Sequence, residues 1–196
     1  MISLSYWQFK LRAIVLLVFG RQNAALEAFE AMLALKPSDR YALASKAHLQ
    51  MQTGDKPGAL ATMRRLVHHH PGTSAAWFNL AYVLEDAGFH DEAEPAFRRA
   101  LEIEPKMDRA WYGLALLLIQ ERRFDEAIEA LKKNTELQPM SPFGWYQLAR
   151  VHVERQEPQE AVKIIRHLKG FEPKVAAQLE RETGLSLAQS PASRAG

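Results

Sequence analysis

The sequence predicts an all-α chain, a solenoid of antiparallel helix pairs, on three observations. Pro37, Pro71, Pro105, Pro139 and Pro173 stand 34 residues apart and make up five of the 10 prolines. A fixed period of this length marks a helical repeat array. Two alanine registers keep the same step: Ala13, Ala47, Ala81, Ala115 and Ala149, and Ala25, Ala59, Ala93, Ala127 and Ala161. Trp77, Trp111 and Trp145 form a third, with Phe9 and Leu43 in the same slot earlier. Five units follow, 6–39, 40–73, 74–107, 108–141 and 142–175, and each rests on its neighbours rather than on a core of its own. The expectation is one elongated domain over 1–187.

The first element carries an apolar run, Ala13–Gly20, preceded by Lys10 and Arg12. That order imitates a signal-peptide core. The run is too short to span a bilayer, which takes about 20 apolar residues. It also keeps the repeat register, so it reads as the first helix of the first unit. Terminal units normally show a polar outer face, yet residues 14–19 are apolar all around the helix and follow Tyr6, Trp7 and Phe9. A helix apolar on all sides must be covered. Trp7, Phe9, Ile14, Leu17 and Val18 are therefore expected to contact a second copy, a partner protein or a membrane surface.

The second unit departs from the pattern. Lys46, like Arg12 before it, fills the slot of Leu80, Leu114 and Leu148, and His69 replaces Ile103 and Leu137. This unit is expected to be the weakest in stability. The third unit is the clearest. Thr73 or Ser74 caps a helix whose apolar stripe is Trp77, Leu80, Ala81 and Leu84. Gly88 ends it through a left-handed backbone, a role held by Gly20 and Gly54 earlier and lost to Arg122 and Gln156 later. Asp91 begins a second helix buried through Ala93, Phe97, Ala100 and Leu101, and Pro105 stops it. Small residues at the alanine registers let the paired helices approach closely. The fourth and fifth units repeat this, with Asn134 in the slot of Ala100. A segment over 174–187 is expected to cap the last unit, and 188–196 to be a disordered tail.

These residues resemble the signature of the tetratricopeptide repeat (TPR) family: a Trp, a Leu-small pair, an Ala, a Phe and a Pro, here Trp77, Leu80-Ala81, Ala93, Phe97 and Pro105. The resemblance covers 6–175 and implies a right-handed superhelix with first helices lining a concave groove. It implies that a protein or peptide partner binds there, against Tyr41, His48, Phe78, Asn79, Tyr82, Arg109, Tyr112, Leu116, Phe143, Tyr146, Gln147 and Arg150. Phe78, Tyr112 and Tyr146 share a register and are expected to form an aromatic ladder. Arg109 and Arg150 suit a carboxylate. The family's chaperone-type carboxylate clamp is not expected, because Ile14 and Ser45, or Ala44, His48 and Gly113 in the next register, stand where its Lys and Asn residues belong.

Other chemistry finds little support. Formal charge is +2, nearly balanced, so nothing draws the chain to nucleic acid in bulk. Basic pairs recur on the second helices at 64–65, 98–99, 132–133 and 166–167, but Glu94 and Glu129 lie four residues before Arg98 and Lys133, the favourable order for pairing. His68, His69 and His70 point about 100° apart on a helix and cannot converge on one metal ion. There is no cysteine, no Gly-rich phosphate loop and no HExxH. The expectation is a cytoplasmic, non-enzymatic scaffold or adaptor without cofactor. The alternative is an assembly factor held peripherally at a membrane by the first helix.

Overall fold

The computed structural model describes residues 4–185, and every regular element among them is an α-helix. The last residues of the cap expected over 174–187, and the tail expected over 188–196, lie outside the described residues. The chain divides into two compact bodies, Met1–Pro105 and Lys106–Gly196. The first holds α1 (Leu4–Val18), α2 (Gln22–Leu35), α3 (Arg40–Gln52), α4 (Lys56–His69), α5 (Ser74–Asp86) and α6 (His90–Ile103). The second holds α7 (Asp108–Gln120), α8 (Phe124–Leu137), α9 (Pro142–Glu154), α10 (Pro158–Lys169) and α11 (Pro173–Thr183).

The helices keep the period of the sequence. From α3 on, first helices start at 40, 74, 108 and 142, and second helices start at 22, 56, 90, 124 and 158. In the first body α1 packs on α2, α3 on α4 and α5 on α6, with α2 against α3 and α4 against α5. In the second, α7 packs on α8 and α9 on α10, with α8 against α9 and α11 laid on both α9 and α10. Each body is thus built of antiparallel helix pairs, and α11 caps the second.

All ten alanines of the two registers are 0 % exposed. Only a methyl group fits where the helices meet, so a larger side chain there would overpack the seam, at about 1–3 kcal/mol. The tryptophan register tightens the turns. The Trp77 and Trp145 indole N–H groups donate to the carbonyls of Pro71 and Pro139 at 2.8 and 2.9 Å. Ahead of all five ladder prolines, Lys36, His70, Glu104, Gln138 and Glu172 leave the helical region, as a residue before proline must. Pro173 differs. Gly170 closes α10 early, so this proline opens α11, where its missing amide has no bond to lose.

The turn inside each pair needs a left-handed residue. Gly54 and Gly88 supply it at φ 80°. Arg122 and Gln156 adopt φ 60° and 62° in the same slot despite their Cβ atoms. Capping differs from expectation. Thr73 stands at the N-cap of α5 but its side chain accepts no hydrogen bond, and Ser74 instead donates to Glu104. The capping carboxylates are Asp39, accepting from the Ala42 amide, and Asp55, accepting from Gly58. The second helix of the third repeat begins at His90, one residue before Asp91.

Candidate functional site

In the first body the surface is set by how α1 is held. Tyr6 and Ala13, one side of α1, are buried. The Tyr6 hydroxyl donates to Asp39 Oδ2 at 2.9 Å, and Lys36 reaches the same carboxylate at 3.1 Å. Burial pushes the Tyr6 phenol up to about 12, reinforced by the hydrogen bond to Asp39 and its charge. Burial alone would raise Asp39, but the Ala42 amide, Lys36 and Tyr6 outweigh it and hold the carboxyl below its ordinary value.

The other side of α1 is open. Leu4, Trp7, Leu11, Ile14, Val15 and Val18 are exposed, from 41 % at Ile14 to 78 % at Val18. Leu17 is also exposed, whereas Phe9 is half-buried in line with Tyr6 and Ala13. The expectation of a helix apolar all round is thus resolved into one packed side and one bare one. Lys10 stands at the edge, its Nζ 5.0 Å from the Trp7 ring centre and 4.8 Å from that of Tyr41. Tyr41 meets Phe29 edge-on at 6.1 Å. Further along the first helices, His48, Asn79 and Tyr82 are exposed, and Phe78 leans on Phe97 at 6.1 Å.

In the second body Arg109 and Phe143 are exposed, while Tyr112 and Leu116 are half-buried. Two open clefts lie along α9. One, of about 230 Å³, is lined by Ile119, Arg122, Phe124, Gln147, Arg150, Val151 and Glu154. The other, of about 340 Å³, is lined by Arg150, Val153, Glu154, Glu182 and Thr183. Arg150 and Glu154 border both. The Arg150 guanidinium stands 5.8 Å from the Tyr146 ring centre, and the Tyr146 hydroxyl donates to Glu182 of α11 at 2.5 Å. That bond, then burial, raises the Tyr146 phenol, and the same bond, with one from Gln178, lowers Glu182. The structure therefore brings Tyr146, Gln147 and Arg150 together, and adds Glu154 and Glu182, which sequence reasoning missed. Glu154 and Glu182 follow from the helical register of α9 and from the seat of α11, and only the first was readable in advance.

The second helices carry paired charges. Arg98 pairs with Glu94, Arg64 with Glu92 and Arg99 with Glu102. Glu129 pairs with Lys132 rather than with Lys133, which binds Glu136. In the histidine run, His68 and His69 meet edge-on and the His70 Nε2–H donates to the Ser38 carbonyl at 2.7 Å.

Two polar groupings were not anticipated. Thr62 donates to Gln50 Oε1, and Gln50 Nε2 donates to Asp55, each at 2.8 Å. Gly58 leaves room for them, since a Cβ there would lie 2.0 Å from Asp55 Oδ2. The same two slots in the last repeat hold His152 and Glu157, joined at 2.7 Å. Lys46, the anomaly of the second repeat, folds its stem inward and pairs with Glu30.

A fold of stacked helix pairs with side chains open along its first helices defines a repeat-array interaction module. Two family models described as tetratricopeptide repeat match the chain, over 44–108 and over 84–143. The chain belongs to the tetratricopeptide repeat family. No curated protein sequence matches it. Among solved structures it resembles a crystal structure of MamA, with TM-score 0.79 and 19% identity over 93% of this chain and 97% of that one. It also resembles a TPR protein from Parabacteroides merdae, with TM-score 0.81 and 20% identity over 93% and 75%. A third likeness is to YrrB, described as a TPR protein with an unusual peptide-binding site, with TM-score 0.75 and 18% identity over 86% and 88%. These likenesses are of fold.

Proposed function

We propose that the chain is a non-enzymatic scaffold or adaptor that holds a partner peptide or helix against side chains of its first helices. One observation carries this reading. Arg150 of α9 borders two clefts, with the Tyr146 ring beside it and Gln147 and Glu154 offering both kinds of hydrogen-bonding group. Aromatic and arginine side chains on a preformed surface are the usual anchors of protein interfaces. Tyr41, His48, Phe78, Asn79, Tyr82, Arg109 and Tyr112 extend the proposed contact set. YrrB's peptide-binding site supports the same use of this fold. The five repeats and their cap are taken as one domain, which unfolding in a single cooperative transition would support. Affinity purification with mass spectrometry identifies the partner. Titration of its bound segment into the wild type and a Tyr112→Ala/Arg150→Ala variant then tests the surface, and equal affinity for both would reject it.

A second reading rests on the bare side of α1. Exposed apolar patches of this kind mark contact with a protein or a membrane. No helix among the described residues is long and apolar enough to cross a membrane. In this reading a cytoplasmic chain is held peripherally at a membrane by α1, while its other first helices recruit a client. Fractionation without detergent tests it.

A further inference from the structure

We propose that the open side of α1 is a docking face for an anionic lipid surface, on which the helix lies flat. This rests on the second reading above and names the partner of that face. The side chains Leu4, Trp7, Leu11, Ile14 and Val18 follow one another at steps of three and four, which places them in a single row. Val15 widens the row, and Phe19 continues the bare apolar surface just beyond the helix. Opposite the row, Tyr6 and Ala13 are buried, and the Tyr6–Asp39 bond pins the helix down. These contacts hold the apolar side outward and oppose the helix leaving to insert end-on. Its 15 residues are too few to cross a bilayer, which takes about 20. A fixed helix with a bare apolar row suits the plane of a membrane interface, where tryptophan sits at headgroup level.

Charge selects the occupant. Between Leu4 and Leu26 the charged side chains are Lys10, Arg12 and Arg21, and the first acid in the chain is Glu27. Arg12 and Arg21 are exposed and no carboxylate pairs with them among the described residues. Lys10 lies over two aromatic rings beside the apolar row. A second copy of α1 laid on this face would bring cations to cations with no acid in either helix to answer them, which disfavours that pairing. Phosphate headgroups answer all three, and the apolar row enters the acyl boundary between them.

The test is flotation of the full chain with vesicles of phosphatidylcholine alone and of phosphatidylcholine mixed with phosphatidylglycerol, with light scattering in parallel. The wild type is expected to float with the mixed vesicles, weakly with the neutral ones, and less as salt rises. Arg12→Gln/Arg21→Gln should weaken mixed-vesicle binding roughly twenty-five-fold, at about fivefold per cation. Leu11→Glu/Val18→Glu should abolish it; both positions are exposed, and unchanged circular dichroism and melting confirm that the fold is kept. Tyr112→Ala/Arg150→Ala should float like the wild type. No flotation, equal flotation with neutral vesicles, or flotation undiminished in Leu11→Glu/Val18→Glu would overturn the proposal. So would a stable dimer that Leu11→Glu/Val18→Glu dissociates without any vesicle binding. Sedimentation with cellular membranes but not with lipid vesicles would keep the membrane reading and reject lipid as the partner.

Discussion

Gly144 and Asn134 share one space: a Cβ built on Gly144 would lie 2.2 Å from Asn134 Oδ1 and 3.0 Å from Thr135 Cγ2. Asn134 is buried and its Nδ2 donates to the Asp108 carbonyl at 2.9 Å. The slots of these two residues one repeat earlier hold Ala100 and Ala110. The exchange of alanine for asparagine on α8 is matched by the exchange of alanine for glycine on α9.

The pair predicts a strongly non-additive cycle. Gly144→Ala should cost about 1–3 kcal/mol, although alanine is the better helix former, because the seam has no room for the methyl. In an Asn134→Ala background the same substitution should be neutral or stabilising. Denaturant unfolding of the four proteins measures the coupling; additive effects would show that the two side chains do not compete.

The left-handed turns predict gains. Arg122 and Gln156 hold a backbone conformation that costs an L-residue about 1–2 kcal/mol. Gln156→Gly should therefore raise stability by about 1 kcal/mol, and Gly88→Ala should lower it by a similar amount. Arg122→Gly is the less clean test, because the Arg122 guanidinium also lies 5.7 Å from the Phe124 ring centre. Melting temperatures of these variants decide the point.

The Tyr6–Asp39 bond predicts a pH dependence at both ends. Asp39 has its folded value lowered, so its contribution is present above the ordinary 3.8 and is lost as pH falls through the folded value. Tyr6 is raised from 10.0 to about 12, so its contribution is full below 10 and is lost as pH rises toward 12. Tyr6→Phe should cost about 1–3 kcal/mol near neutrality and reduce the alkaline loss. Asp39→Asn should flatten the acid limb. Unfolding free energies across pH check both, and an alkaline limb undiminished in Tyr6→Phe contradicts the assignment, the raised Tyr146 phenol accounting for a smaller remainder.

The buried Gln50–Thr62 pair predicts an asymmetry between single and double replacement. Thr62→Ala leaves the Gln50 carbonyl buried without its donor and should cost about 1–3 kcal/mol. Replacing both, as Gln50→Leu/Thr62→Ala, restores the Leu84 and Ala96 chemistry of the third repeat and should cost less than the single change. Chemical denaturation of the two variants compares them directly.

Most of the fold was legible because the repeat writes it five times. The buried alanines, the prolines at the turns and the left-handed glycines each recur at one slot, so one repeat's reading carries to the others. What stayed hidden lies where a contact joins residues from two slots. Asn134 was visible as a departure, but its answer at Gly144 was not, since nothing in a period links positions ten residues apart. The same holds for Gly58, which stands where Glu92, Glu126 and Glu160 stand and clears space for Gln50 and Asp55. On α1 the apolar excess was plain, yet the split into a packed and a bare side needed Tyr6 to find Asp39. Arg150 was legible as a surface residue, while its neighbour Glu182 arrives from α11, whose seat on α9 no register predicts.

The most direct test of the central claim is calorimetric titration of the captured partner's segment into the wild type and into Tyr112→Ala/Arg150→Ala. Loss of both anchors should weaken binding at least tenfold with the melting temperature unchanged, since Arg150 is exposed and Tyr112 half-buried. Equal affinity for the two proteins would contradict the account and move the partner to another face.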